Sequence, residues 1–243
     1  MTARADFLAR IRREVAKAPG QFAAATAPRP AHPIAAADAI RRELAERWPQ
    51  ALDRFREEFE RIAGVFHRVP TFAAVPAVIA AIARERGASH VVTWDPGALG
   101  FDPAPALSRE GLAVAAVRAG QEDEAARERD RAEAAAAQIG VTGADFVLAE
   151  TGTLILRSGA GRPRSTSLLP DVHVAVFGRD RLLETLEQVG VMLEAIHADP
   201  DQPTSGAMIN FITGPSRTAD IELTLTRGVH GPKEVHAIFV EAP

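Results

Sequence analysis

Apolar positions along this chain change their period twice. Over residues 3–18, Phe7, Leu8, Ile11 and Val15 recur at helical spacing with arginine and glutamate between them, which predicts a short amphipathic helix. Residues 19–37 are rich in proline and alanine and have little to bury, so they read as a linker. Asp38 reads as the N-cap of a helix through Trp48, and Pro49 as an early residue of a second helix ending near Ile62. From Gly64 onward, short β-rich runs alternate with helical ones. Strand Val65–Val69, helix Ala74–Arg86 and strand His90–Trp94 come first. After an irregular Gly/Pro segment, strand Leu112–Arg118 and helix Glu122–Ile139 follow. A pair, Ala144–Ala149 and Thr153–Arg157, is joined by Glu150-Thr151-Gly152. Strand Val172–Phe177, helix Arg181–Ala195, strand Met208–Thr213, a short polar helix or turn, and strand Val235–Val240 complete the chain.

This alternation implies βαβ units, hence an α/β fold with a mostly parallel sheet and helices on both faces. The expected organisation is an N-terminal arm over residues 1–37 and one α/β domain over 38–243, opening with helices at 38–62. The arm reads either as a loosely attached tail or as a docking segment for a partner. In open α/β sheets, ligands bind beyond the carboxyl ends of strands, so the loops after strands are the ones to inspect.

Composition narrows the chemistry. With no cysteine among the 243 residues, a disulfide, a thiolate nucleophile or a cysteine-ligated iron–sulfur cluster has no ligand here, and such a cluster belongs on a partner. A net charge of −4 gives no general attraction to nucleic acid. The apolar run Ala73–Ala83 is broken by Pro76 and followed by Arg84, short of the roughly 20 residues that span a bilayer. The N-terminal residues carry charges and no apolar core, so a cytoplasmic location is expected.

Three loops carry candidate chemistry. In the first, Glu150 ends an apolar run and Gly152 permits a tight turn. It is either a plain hairpin turn or a carboxylate lifted into a pocket for acid–base work. In the second, residues 158–167, two glycines and two arginines stand with four hydroxyls. Arg164, Ser165 and Ser167 suit a carboxylate or phosphate, although neither a dinucleotide fingerprint nor a phosphate loop is present. In the third, Gly214, Pro215 and Ser216 follow a strand. His230 comes soon after, between glycines, with Gly231 letting the backbone approach a ligand. Asp220, Glu222, His230 and His173 lack any specific metal-ligand spacing. A triad of Ser216, His230 and Asp220 lacks a nucleophile elbow.

The three loops, in this order, are also what the chain shares with a known family. Ala144-Asp145-Phe146 through Glu150-Thr151-Gly152-Thr153, Ser165-x-Ser167-Leu168-Leu169-Pro170, and Phe211-Ile212-Thr213-Gly214-Pro215-Ser216 with Ala219-Asp220-Ile221-Glu222 and Gly228-Val229-His230-Gly231-Pro232 resemble the lactate-utilisation protein C (LutC/YkgG) family, built on the LUD domain. The resemblance implies a three-layer α/β/α fold of the NagB/RpiA/CoA-transferase type. It also implies a part in oxidising L-lactate to pyruvate beside two iron–sulfur partner subunits, with no cofactor of this chain's own.

On that reading the Gly-Pro-Ser turn and Arg164, with Thr151, Gly152, Ser165, Ser167 and Gly231 around them, hold a small carboxylate. Glu150 or His230 moves a proton beside it. Two alternatives stand: a stand-alone isomerase- or CoA-transferase-like enzyme using Glu150, and a non-catalytic scaffold or regulator of the complex.

Overall fold

The fold is taken from a computed structural model, which describes residues 3–16, 29–117, 123–199, 208–219 and 225–242. Helix α1 (Ala3–Ala16) is followed by the long α2 (Pro33–Arg61), β1 (Val65–Thr71), α3 (Val75–Arg86) and β2 (His90–Thr93). Next come α4 (Pro96–Leu99), α5 (Ala104–Arg109), β3 (Ala113–Ala116), α6 (Glu124–Ala136) and β4 (Ile139–Gly143). The hairpin β5 (Phe146–Leu148) and β6 (Thr153–Arg157) leads to α7 (Ser165–Leu168), β7 (Val172–Gly178), β8 (Leu182–Leu183) and α8 (Leu186–Ala198). The remaining strands are β9 (Ile209–Ile212), β10 (Arg217–Ala219), β11 (Leu225–Arg227) and β12 (Glu234–Ala242).

Six strands form the central sheet in the order β1-β12-β7-β4-β2-β3, every pairing parallel. A second sheet, β8-β5-β6-β9, and the ribbon β10-β11 complete the strands. The side chains of β7 and β12 divide by alternation. Val174, Val176, Ile238 and Val240 pack with Ile79, Ile82 and Ala83 of α3. Ala175, Phe177, Ala237 and Phe239 pack with α2 and with Val147, Leu154 and Leu156 of the hairpin. The α/β architecture with helices on both faces is the expected one.

Several boundaries move, each for a physical reason. Helix α2 starts at Pro33, whose missing N–H is harmless in a first turn, and so it crosses the boundary expected at residue 38. It also runs straight through Pro49 instead of breaking there. Ala45 and Pro49 are both exposed, so water can satisfy the carbonyl that proline leaves unbonded. The face that matters is apolar throughout: Trp48 stacks on Phe239 at 5.6 Å, and Phe55 stacks on Phe59 at 5.1 Å and meets Phe177 edge-on at 5.5 Å. Strand β4 begins at Ile139, the residue expected to end a helix, and was not itself expected. The helix expected from Arg181 begins only at Leu186, behind a Thr185–Gln188 capping box. Where a short polar helix or turn was expected, β10 and β11 pair antiparallel. Residues 19–28 of the expected linker lie outside the described residues. No helix among the described residues is long and apolar enough to cross a membrane.

Two buried histidines make stability depend on pH. His173, fully buried on β7, bonds Thr142 Oγ1 at 2.8 Å, and burial pushes its pKa down to about 3. His236, 4% exposed on β12, lies 3.0 Å from the ring of His67, and burial with the neighbouring His67 lowers it to about 4. Both groups are neutral in the folded state at pH values where the unfolded chain has already bound their protons. Stability is therefore fully present above the unfolded value near 6.5 and is lost as the pH falls toward 4. The slope approaches roughly 1.4 kcal/mol per pH unit for each histidine. Urea unfolding between pH 7 and pH 4 measures this fall, and His173→Asn should flatten it. A slope unchanged by that substitution would remove His173 from the account.

Candidate functional site

The parallel strands all point their carboxyl ends to one side, and there the chain leaves a cavity of about 570 Å³. Its floor is made by the last apolar residues of the strands, Val176 and Phe177 of β7 and Val240 of β12, with Phe72 and Leu99 beside them. Its rim is made by the connections. After β4 the chain passes through Gly143 and Ala144. After β7 it passes through Gly178 into a tight turn, Arg179-Asp180-Arg181. A Cβ at Gly178 would stand 3.0 Å from Asp180 Oδ1, the end of an exposed side chain that can turn away. Opposite stands α4, whose N-cap Asp95 accepts a bond from Gly97 N at 2.8 Å.

The charges at this rim are unequal in their engagement. Asp180 pairs with Arg181 at 3.0 Å, and Glu241 pairs with Arg68. Arg179 is exposed, and no ion pair ties it to a described residue. A guanidinium at the edge of a largely apolar hollow can hold a small carboxylate with two parallel hydrogen bonds and leave its carbon skeleton on the apolar floor.

A buried ion cluster is centred on Asp145, next to Ala144 of the cavity rim. Asp145, 6% exposed, accepts bonds from Arg157 N (2.7 Å), Arg157 Nε (3.0 Å) and Arg162 Nη1 (3.1 Å). Gly161 O accepts from Asp95 N at 2.9 Å and Pro163 O from Trp94 Nε1 at 3.2 Å, so the 159–163 loop is tied to the residues just after β2.

The residues nominated from sequence fall into two groups. The first and third loops meet at the C-terminal end of α2. Gly152 (φ 62°) and Gly214 (φ 79°) both press on it: a Cβ would stand 2.5 Å from Phe59 N in one case and 2.8 Å from Ile62 O in the other. A hydroxyl chain joins them, Thr151 to Thr153 at 2.7 Å and Thr153 to Thr213 at 2.8 Å. Ser216 is tied to the histidine segment by its N–H to Pro232 O (2.9 Å) and its Oγ, which accepts from His230 N (3.3 Å). A Cβ at Gly231 would stand 3.5 Å from Ser216 Cβ, and Pro215 is buried. Glu150 Oε1 accepts from Leu186 N at 2.9 Å, which makes it a cap for α8. This cluster sits where β7 and β12 begin, since Lys233 N and Glu234 N both bond Asp171 O.

The second loop is not brought to it. Arg164 is exposed beside the Trp94 contact, Ser167 Oγ donates to Arg164 O at 3.1 Å, and α7 lies over Gly140 of β4. Ser165 Oγ, Thr166 Oγ1 and His173 Nδ1 are buried without a partner among the described residues. No group of three His, Asp or Glu side chains among the described residues is placed to hold a metal, and Asp220 and Glu222 lie outside them.

Sequence reasoning passed over Arg179 and α4. The signal was there: Gly178-Arg179-Asp180-Arg181 directly follows a strand, in the position the carboxyl-end rule singles out. Assigning Arg181 to the start of a helix hid it.

Comparison with known proteins agrees with this fold. Lactate utilization protein C of Halalkalibacterium halodurans is 40% identical over 161 residues, covering 66% of this chain and 66% of that protein. The protein of the same name from Anoxybacillus flavithermus is 32% identical over 192 residues, covering 79% of this chain and 80% of the relative. For the Bacillus licheniformis protein the identity is 40% over 119 residues and each coverage is 49%. The chain thus spans under two thirds of the length of the H. halodurans and B. licheniformis relatives in these matches. The crystal structure of a DUF162 family protein from Deinococcus radiodurans shares the fold, with a TM-score of 0.51 and 23% identity over 79% of this chain and 98% of that one. The model of the LUD domain matches residues 52–240. That match runs from the second half of α2 to the last strand, and the chain belongs to the LUD domain family.

Proposed function

We propose that this chain serves lactate utilisation as the subunit that binds the small carboxylate, L-lactate or pyruvate, while iron–sulfur partner subunits receive the electrons. The observation that carries this reading is the cavity at the strand carboxyl ends, with Arg179 at its rim and an apolar floor. The names of the relatives support the substrate class. The division of labour follows from the chain's own donor set: without cysteine, a cysteine-ligated cluster does not fit here. In this reading Arg179 orients the carboxylate and the apolar floor excludes water from its carbon skeleton.

Glu150 and His230, nominated for proton transfer, stand at the other end of the sheet. Glu150 as base or nucleophile of a stand-alone isomerase or CoA-transferase is disfavoured by its engagement with Leu186 N. A scaffolding role has one observation in its favour: α1 leaves Phe7 62%, Leu8 40% and Ile11 46% exposed along one face.

Isothermal titration with L-lactate and pyruvate, partner subunits present, tests the reading. Arg179→Ala should weaken binding about tenfold or more, the scale of a lost charge-assisted hydrogen bond. His230→Ala should leave affinity within about twofold, since a change of that size is under 0.5 kcal/mol. Loss of binding in His230→Ala alone would move the site to the amino-end cluster. Absence of any binding in the wild type would overturn the reading.

A further inference from the structure

The Arg179-Asp180-Arg181 turn has two sides. One bounds the cavity at the strand ends, and the other bounds a second cavity of about 480 Å³ between α2, α8 and the hairpin. Its floor is Leu44, Phe146, Leu182 and Met192, at 5%, 7%, 1% and 2% exposure. Trp48 forms one wall, its own ring backed by Phe239 at 5.6 Å. Arg41, Arg179 and Arg181 stand at its edge against a single carboxylate, Asp180.

We infer that this slot is a second ligand site, one that takes a flat aromatic ring system carrying a phosphate or carboxylate. The ring lies against Trp48 and the apolar floor, and the oxyanion lies on Arg41 and Arg181. The charge pattern selects this class over its neighbours. A purely apolar occupant would leave the guanidinium groups without an anion, and a bare anion would leave the floor wet. Among the described residues, Arg41 and Arg181 are held only by the carboxylates Asp38 (2.9 Å) and Asp180 (3.0 Å). Such surface pairs contribute little, so a ligand oxyanion can take their place. Aromatic stacking on a ring that is itself backed by Phe239 adds specificity for a flat partner. The volume lies within the range of small-molecule sites. The inference does not rest on the lactate reading. The shared turn sets the two ligands side by side, separated by Arg179.

The test is a titration of the full chain with flavin mononucleotide, followed by quenching of its fluorescence. Riboflavin, which lacks the phosphate, and the competitor 1-naphthoate, which carries a carboxylate on two rings, serve as further probes. The variant is Ala45→Glu, a negative charge at the exposed mouth of the slot on the surface of α2, where the fold should be indifferent to it. Saturation at one flavin mononucleotide per chain is expected. Riboflavin should bind about tenfold or more weaker, and Ala45→Glu should weaken the nucleotide to a similar degree with an unchanged melting temperature. Displacement by 1-naphthoate supports an oxyanion site of either kind, and its failure narrows the ligand to phosphates. The inference is overturned if the nucleotide does not saturate below millimolar concentration, if riboflavin binds equally well, or if Ala45→Glu changes nothing. Competition by L-lactate for the nucleotide would also overturn it, because the two sites would then be one. Lactate affinity is measured separately, so failure of either proposal leaves the other standing.

Discussion

Asp145→Ala should lower the unfolding free energy by about 3–5 kcal/mol, the usual consequence of removing one partner from a buried ion pair. Asp145 is 6% exposed and is the shared acceptor of Arg157 Nε and Arg162 Nη1. The side chains of Arg157 and Arg162 are 20% and 23% exposed, so neither guanidinium can turn fully to water when the carboxylate goes. The backbone N–H of Arg157, at 2.7 Å from Oδ2, loses its acceptor in the same step. The effect should reach function as well. Arg162 anchors the loop whose Gly161 O and Pro163 O hold Asp95 and Trp94, and Asp95 caps the helix on the far rim of the cavity. Urea unfolding gives the stability, and carboxylate titration gives the coupling. Asp145→Asn keeps the N–H bond to Arg157 and should lose less. A loss below about 1 kcal/mol for Asp145→Ala would mean that the arginines find other partners or water, and the 159–163 loop would not depend on this cluster.

The layered α/β architecture was legible because apolar period and chain length carry that information directly. Runs such as Val172–Phe177 and Val235–Val240 are apolar on both faces, as strands covered on both sides must be. The misreadings share a cause. Pro49 costs the helix less because the freed carbonyl can reach water, and burial is not visible in one sequence. Strand β4, Ile-Gly-Val-Thr-Gly, has two glycines among five residues and is a poor strand by composition. It holds its place because it lies between β7 and β2 in the sheet.

The site was legible in part for a related reason. Glycines flag a special backbone but do not say what approaches them. Gly152 and Gly214 read as ligand-facing, yet the group pressed against each is the backbone at the C-terminal end of α2. The Thr151–Thr153–Thr213 hydroxyl chain makes these two loops one unit, which no spacing along the chain announces. The second loop goes to the opposite end because the residues before α7 follow Trp94, and α7 itself returns across β4 toward the start of β7.

Gly140→Ala is the sharpest test of that last arrangement. Gly140 lies in β4 beneath α7, and a Cβ there would stand 1.8 Å from Thr166 O and 3.0 Å from Pro170 Cγ. The first contact is with backbone, so no side-chain rotation relieves it; either α7 lifts or β4 sinks. Overpacking of this kind costs about 3 kcal/mol or more when main chain must move. Gly143→Ala, three residues along the same strand, is the control. Its Cβ would meet Ala98 O and the Trp94 ring at 3.8 Å, an ordinary contact, so it should change stability by under about 1 kcal/mol. The two variants share strand and chemistry, so the difference between them isolates the α7 contact. If α7 yields, Pro163 O shifts from Trp94 Nε1, and the tryptophan fluorescence of Gly140→Ala should change under native conditions. Equal stabilities for the two variants would show that α7 is not held against β4, and that the 159–163 loop has no fixed support from below.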